Sequence, residues 1–177
     1  KDAIAASEGS LRILASPWTA PPWMKNNNAW IRGELIGEYR TIYADYLVKY
    51  FEEYKKEGVN FWAMTPLNEP SGVGKWDSMV MSGASESGFI AADLGPKMEA
   101  AGFGDIKIYA FDQNKDEMHH WAETIINEGN NKSYVDGVAI HWYSNTREHY
   151  GPGGRGSHPR SSGRPGRRAI RRAGADW

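Results

Sequence analysis

Val59-Asn60-Phe61-Trp62-Ala63-Met64-Thr65, running into Pro66-Leu67-Asn68-Glu69-Pro70, is the stretch on which the fold turns. Its first half is nearly unbroken in apolar character, as expected of a strand covered on both faces in a parallel sheet. Just upstream, Tyr39, Ile42, Tyr43, Tyr46, Leu47, Tyr50, Phe51 and Tyr54 recur at spacings of three and four. That periodicity predicts one continuous helical stripe of about four turns, read as core. Gly58 follows it, where a left-handed cap residue is expected. Earlier still, Leu11 to Ser16 reads as a short strand, ended by Pro17 and the polar, proline-rich run to Asn28.

The same alternation continues downstream. Ser85 to Ala101 predicts a helix that Gly95-Pro96 must break or kink. Ile106 to Phe111 reads as a strand. Asn114-Lys115-Asp116-Glu117 has the spacing of a capping box, with Asn in place of Ser or Thr. Behind it Met118, Trp121, Ala122, Ile125 and Ile126 form a second helical stripe, and Val135 to Trp142 a fourth strand. Four strands separated by helix-length segments predict an α/β fold with a parallel sheet rather than a sandwich.

Composition narrows the class. The 177 residues suffice for one domain, and eight Trp, nine Tyr and five Phe argue against disorder over most of the chain. The absence of Cys excludes a disulfide scaffold, a thiolate zinc site and a cysteine nucleophile. No run of 18 apolar residues is present, and Lys1 to Gly9 lacks the pattern of a signal peptide. The formal charge of −1 conceals an asymmetry. Gly151 to Trp177 holds seven Arg and one acid, so it carries +6 and leaves −7 on residues 1–150. Seven Gly and three Pro fill much of the rest, so residues 151–177 are expected to be a disordered tail behind a domain of residues 1–150. With no aromatic interleaving, this tail is not read as a nucleic-acid arm. Translation in a shifted frame after about Gly151 is the preferred explanation for it.

Each predicted strand closes in unusual residues: Ser16-Pro17-Trp18, Asn68-Glu69-Pro70, Asp112-Gln113 and His141-Trp142-Tyr143. In a parallel sheet these ends share the C-terminal face, so a carboxylate, an amide, an imidazole, indoles and a phenol converge there. Indole faces stack on sugar C–H surfaces, and amide and carboxylate groups bond ring hydroxyls; the set suits a carbohydrate. No metal site is expected. His119 and His120 are adjacent on a helix and point apart. Asn131-Lys132-Ser133 has the form of a glycosylation sequon.

Three blocks also carry a family resemblance: Leu14 to Lys25 (LASPWTAPPWMK), Asn68-Glu69-Pro70-Ser71 and His141-Trp142-Tyr143, with Phe89 to Pro96 (FIAADLGP) between the last two. Over roughly Gly9 to Tyr150 the chain resembles the glucosylceramidase-type enzymes of glycoside hydrolase family 30. The resemblance implies about four central βα units of a (β/α)8 TIM barrel, with a retaining acid/base glutamate at the end of the fourth barrel strand. Glu69 stands at that position. It would protonate the glycosidic oxygen and later deprotonate water, while a second carboxylate about 5–5.5 Å away forms the glycosyl intermediate. That acid should be held protonated by apolar surroundings such as Phe61, Trp62 and Met64, and by the negative nucleophile.

Other roles are implied residue by residue. Asn68 would bond the sugar 2-hydroxyl, Trp18 line the glucose pocket, Tyr143 hold the carboxylates in register, and His141 buttress Tyr143. Asp112 matches an acidic position near the cleft. The nucleophile is not found in the stretch; Glu148 lies in a polar loop and does not replace it. The chain alone is therefore expected to be inactive. The implied substrate is glucosylceramide or another β-glucoside, with a lipid surface or activator protein as further partners, no cofactor, no nucleic acid, and a lysosomal or secretory location. A relative cleaving β-linked xylan or glucan, and a non-catalytic sugar-binding fragment, are the alternatives.

Overall fold

A computed structural model describes residues 1–71, 74–127 and 133–143, the Ile126 side chain excepted. The expected boundary near Gly151, the Arg-rich tail, Glu148 and most of the Asn131 sequon lie outside them. After a short helix α1 (Asp2–Ala6), the chain runs β1 (Leu14–Ala15), α2 (Arg40–Lys56), β2 (Ala63–Met64), α3 (Gly83–Phe89), α4 (Gly95–Ala100), β3 (Lys107–Asn114), α5 (Met118–Asn127) and β4 (Val135–His141).

The strands pair in parallel in the order β1-β2-β3-β4. Each crossover therefore steps one strand in the same direction. Right-handed crossovers that never reverse keep their helices on one face, which is a sector of a barrel and not a doubly wound sheet. All strand C-termini then share one rim.

Local chemistry sets the element ends. Gly58 takes φ +77° after α2, and the Gly58 and Val59 amides donate to the Lys55 and Tyr54 carbonyls. This closes the helix with a left-handed cap at the expected residue. β1 and β2 are shorter than the apolar runs that predict them. Ladder contacts continue past their regular part, from the Trp62 amide to the Ile13 carbonyl and from the Thr65 amide to the Ala15 carbonyl (both 2.9 Å). Pro17 and Pro66 then offer no donor and the pairing stops. Gly95-Pro96 does not end the helical run, because Pro96 falls in the first turn of α4. Ile90–Leu94 opens into a π turn between α3 and α4, making room ahead of a ring that donates no hydrogen bond.

Two expectations need correction. Asn114 does not cap α5: it is the last residue of β3, and its buried Oδ1 has no partner among the described residues. An extra residue at Asp112 lengthens the strand, because Phe111 pairs with Ala139 and Gln113 with Ile140. The α2 stripe is also two half-stripes. Tyr43, Leu47 and Phe51 are buried, whereas Ile42, Tyr46, Tyr50 and Tyr54 are exposed. Among the described residues α2 packs beside an edge strand, so only half of its apolar surface meets the sheet and the α3–α4 layer. There Tyr43 stacks on Phe89, with ring centroids 5.6 Å apart.

Candidate active site

The rim gathers its polar groups around Asp112. The bulge places Phe111 at φ +81° and Asp112 at φ +48°, and Glu69 sits at φ +47° on the turn after β2. Left-handed backbone costs a residue with a Cβ about 1–3 kcal/mol and persists only where surroundings impose it. Three such residues stand together here, and the two turns are tied directly, the Glu69 amide donating to the Asp112 carbonyl at 3.0 Å. The Asn68 amide donates to the Pro17 carbonyl at 2.8 Å, joining the β1 loop to the same turn.

Side chains close the network. The Ser16 and Thr65 hydroxyls both donate to Asp112 Oδ2, at 2.5 and 2.7 Å. His141 Nε2 lies 2.9 Å from Asp112 Oδ1, and His141 Nδ1 lies 3.2 Å from Glu69 Oε1. Both ring nitrogens thus face a carboxyl oxygen. A doubly protonated imidazole donates to both. A neutral ring satisfies both contacts only when one of the carboxyls carries a proton. The three groups thus form one hydrogen-bonded set, with Glu69 at the solvent side: its side chain is 22% exposed against 11% for Asp112.

The predicted residues fall as follows. Glu69, His141 and Asp112 are in direct contact, and Asn68, 9% exposed, is held beside them through its backbone. Tyr143 meets the group through its ring, edge-on to His141 with centroids 5.8 Å apart; the hydrogen bond to Glu69 comes from His141. Trp18 is half exposed. It packs edge-on to Trp76 at 6.4 Å and lines a hollow of about 250 Å³ with Tyr46 and Tyr50 of α2. No hydrogen bond or ring contact links it to Glu69. A larger hollow of about 560 Å³ adjoins Pro70 and Ser71. Ser16 was placed at the rim by the sequence reading but given no role, and Thr65 escaped it; only their place at the ends of adjacent parallel strands could have signalled their contact with Asp112. Among the described residues no group of three His, Asp or Glu side chains is arranged so that it could hold a metal ion.

With this geometry in view, the sequence model of the Glycosyl hydrolase family 30 TIM-barrel domain matches residues 2–155. The chain belongs to glycosyl hydrolase family 30. Among its relatives in family 30, a Caenorhabditis elegans protein provisionally named glucosylceramidase 4 is 37% identical over 153 residues, which is 81% of this chain and 30% of that protein. The lysosomal acid glucosylceramidase of Mus musculus is 33% identical over 150 residues, 80% of this chain and 29% of that protein. The solved structure of an endo-β1,6-glucanase superposes with a TM-score of 0.76 at 34% identity, covering 82% of this chain and 35% of that one. The chain thus spans about 30% of the length of the curated relatives it matches.

Proposed function

We propose that this stretch supplies the acid/base half of a retaining β-glucosidase site of the glucosylceramidase type. The whole enzyme would hydrolyse glucosylceramide to glucose and ceramide. The observation that carries this reading is the hydrogen-bonded set of Glu69, His141 and Asp112, with both carboxyls on left-handed backbone, at the C-terminal rim of a parallel α/β barrel sector. Glu69, the most open of the two carboxyls, gives its proton to the glycosidic oxygen. A second carboxylate, from strands outside the four described, attacks the anomeric carbon from about 5–5.5 Å away and forms a glycosyl-enzyme. Glu69, now anionic and held by a His141 N–H, takes a proton from the water that releases glucose. Asn68 meets the sugar 2-hydroxyl, and Trp18, with Trp76 beside it, offers the indole surface for the ring. A lysosomal or secretory location and a lipid surface or activator protein as partners belong to the same proposal.

The test is Glu69→Gln in a complete barrel carrying this stretch. General acid–base groups contribute about 10²–10⁴-fold. Hydrolysis of glucosylceramide, whose alkoxide is a poor leaving group, should fall by that order, while glycosyl-enzyme formation from a dinitrophenyl β-glucoside should be nearly spared. Equal losses on both substrates would refute the acid/base role.

A second reading has one observation in its favour, the superposition on an endo-β1,6-glucanase. It predicts release of oligosaccharides from β-1,6-glucan and no turnover of glucosylceramide micelles.

A further inference from the structure

Glu86 lies outside the network just described, is fully buried on α3, and accepts two hydrogen bonds from opposite sides. Its Oε1 takes the Phe111 amide at 3.0 Å and its Oε2 takes the Trp121 indole N–H of α5 at 2.7 Å. The first of these contacts is unusual in kind. Phe111 opens the bulge of β3, where the ladder to β4 shifts register and the backbone turns left-handed. An amide turned out of its ladder in a buried strand needs another acceptor, or it costs about as much as a lost hydrogen bond. A side chain from the helix layer supplies that acceptor at the residue next to Asp112. The second contact holds the helix side of the same joint, since the Trp121 ring packs on Phe111 with centroids 5.3 Å apart.

We propose that Glu86 is the positioning residue of this site, locking the Phe111–Asp112 bulge by accepting the Phe111 amide and so aiming Asp112 at His141. The consequence for Glu69 rests on the acid/base reading above; the link from Glu86 to Asp112 and His141 does not. Asp112 is the hub through which the effect travels. Its carbonyl holds the Glu69 amide and its carboxylate holds His141, so rotating the bulge disturbs both supports of Glu69 together. A carboxyl kept in an apolar layer is costly, and burial pushes Glu86 up to about 7, with Asp112 nearby adding to the rise. An apolar side chain would avoid that cost but could not accept the Phe111 amide.

The experiment uses the ¹⁵N-labelled 177-residue chain and reads single sites by NMR. Wild type should show a protected Phe111 amide and a slowly exchanging His141 ring proton. Glu86→Leu should speed Phe111 exchange about tenfold or more and abolish the His141 ring signal. It should leave protected the Ile108 amide, which donates to Asp136 at the far end of β3. Glu86→Gln, which keeps one amide oxygen as acceptor, should restore the His141 signal. An unprotected Phe111 amide in wild type, an unchanged His141 ring in Glu86→Leu, or a uniform rise in exchange along all of β3 would each overturn the proposal. Glu69→Gln run in parallel should move the Nδ1 signal of His141 and leave the Phe111 amide untouched. If the ring does not respond to Glu69→Gln, the acid/base reading fails while the Glu86 assignment is judged by its own variants.

Discussion

Glu86 makes the stability of this chain depend on pH in a direction opposite to that of most carboxylates. Its usual value is 4.5, and desolvation by burial, opposed by the Phe111 and Trp121 hydrogen bonds, brings it to about 7 in the folded chain. The unfolded chain therefore releases this proton near pH 4.5, whereas the native chain keeps it until about pH 7. Between those values the native state binds more protons than the unfolded one, so this group's contribution to stability falls as pH rises. It is complete below about pH 4.5 and gone above about pH 7. Each tenfold change in proton affinity is worth about 1.4 kcal/mol, so the loss between pH 5 and pH 8 comes to about 2–3 kcal/mol. Glu86→Gln carries no titrating proton and removes only this part of the pH dependence. Urea unfolding of both proteins, followed by tryptophan fluorescence at pH 5, 6, 7 and 8, isolates the effect in their difference. With a slope of about 2 kcal/mol per M, the wild-type midpoint should drop by over about 1 M relative to the variant across that range. Parallel pH profiles, or a wild type that gains on the variant as pH rises, would refute the reasoning.

Two further outcomes follow from single buried atoms. Lys25 is 2% exposed and its Nζ donates to the carbonyls of Trp30, Arg32 and Ser78, so Lys25→Met should cost about 3 kcal/mol by stranding all three, read as a lowered urea midpoint. The Tyr43 hydroxyl is buried without a hydrogen-bond partner among the described residues, so Tyr43→Phe should leave stability unchanged or raise it by about 1 kcal/mol; a clear loss in thermal unfolding would refute this.

How much of this was legible beforehand can be followed residue by residue. The spacing of Tyr43, Leu47 and Phe51 announced a helix, yet the same spacing in Tyr46, Tyr50 and Tyr54 gave no hint that those rings would stay exposed. Periodicity reports which residues share a face of a helix, and burial depends on what packs against that face. Glu69 could be singled out from its motif. Its partner His141, 72 residues away, could be named but not assigned its contact. Glu86, between two serines in the predicted helix, carried no mark in the sequence of its enclosure.

The amino-acid order by itself determined the alternation of strands and helices, the parallel sheet, the cap at Gly58 and the gathering of polar residues at one rim. These rest on propensities and patterns acting within one or two turns of chain. The tertiary structure alone decided the bulge at Asp112, the bridging of two carboxyls by His141 and the burial of Glu86. Each joins groups from different βα units, such as Ser16 and Asp112, 96 residues apart. Such contacts form only after the sheet has set its register, because a hydrogen bond of fixed length depends on where both strands lie and not on either sequence segment alone.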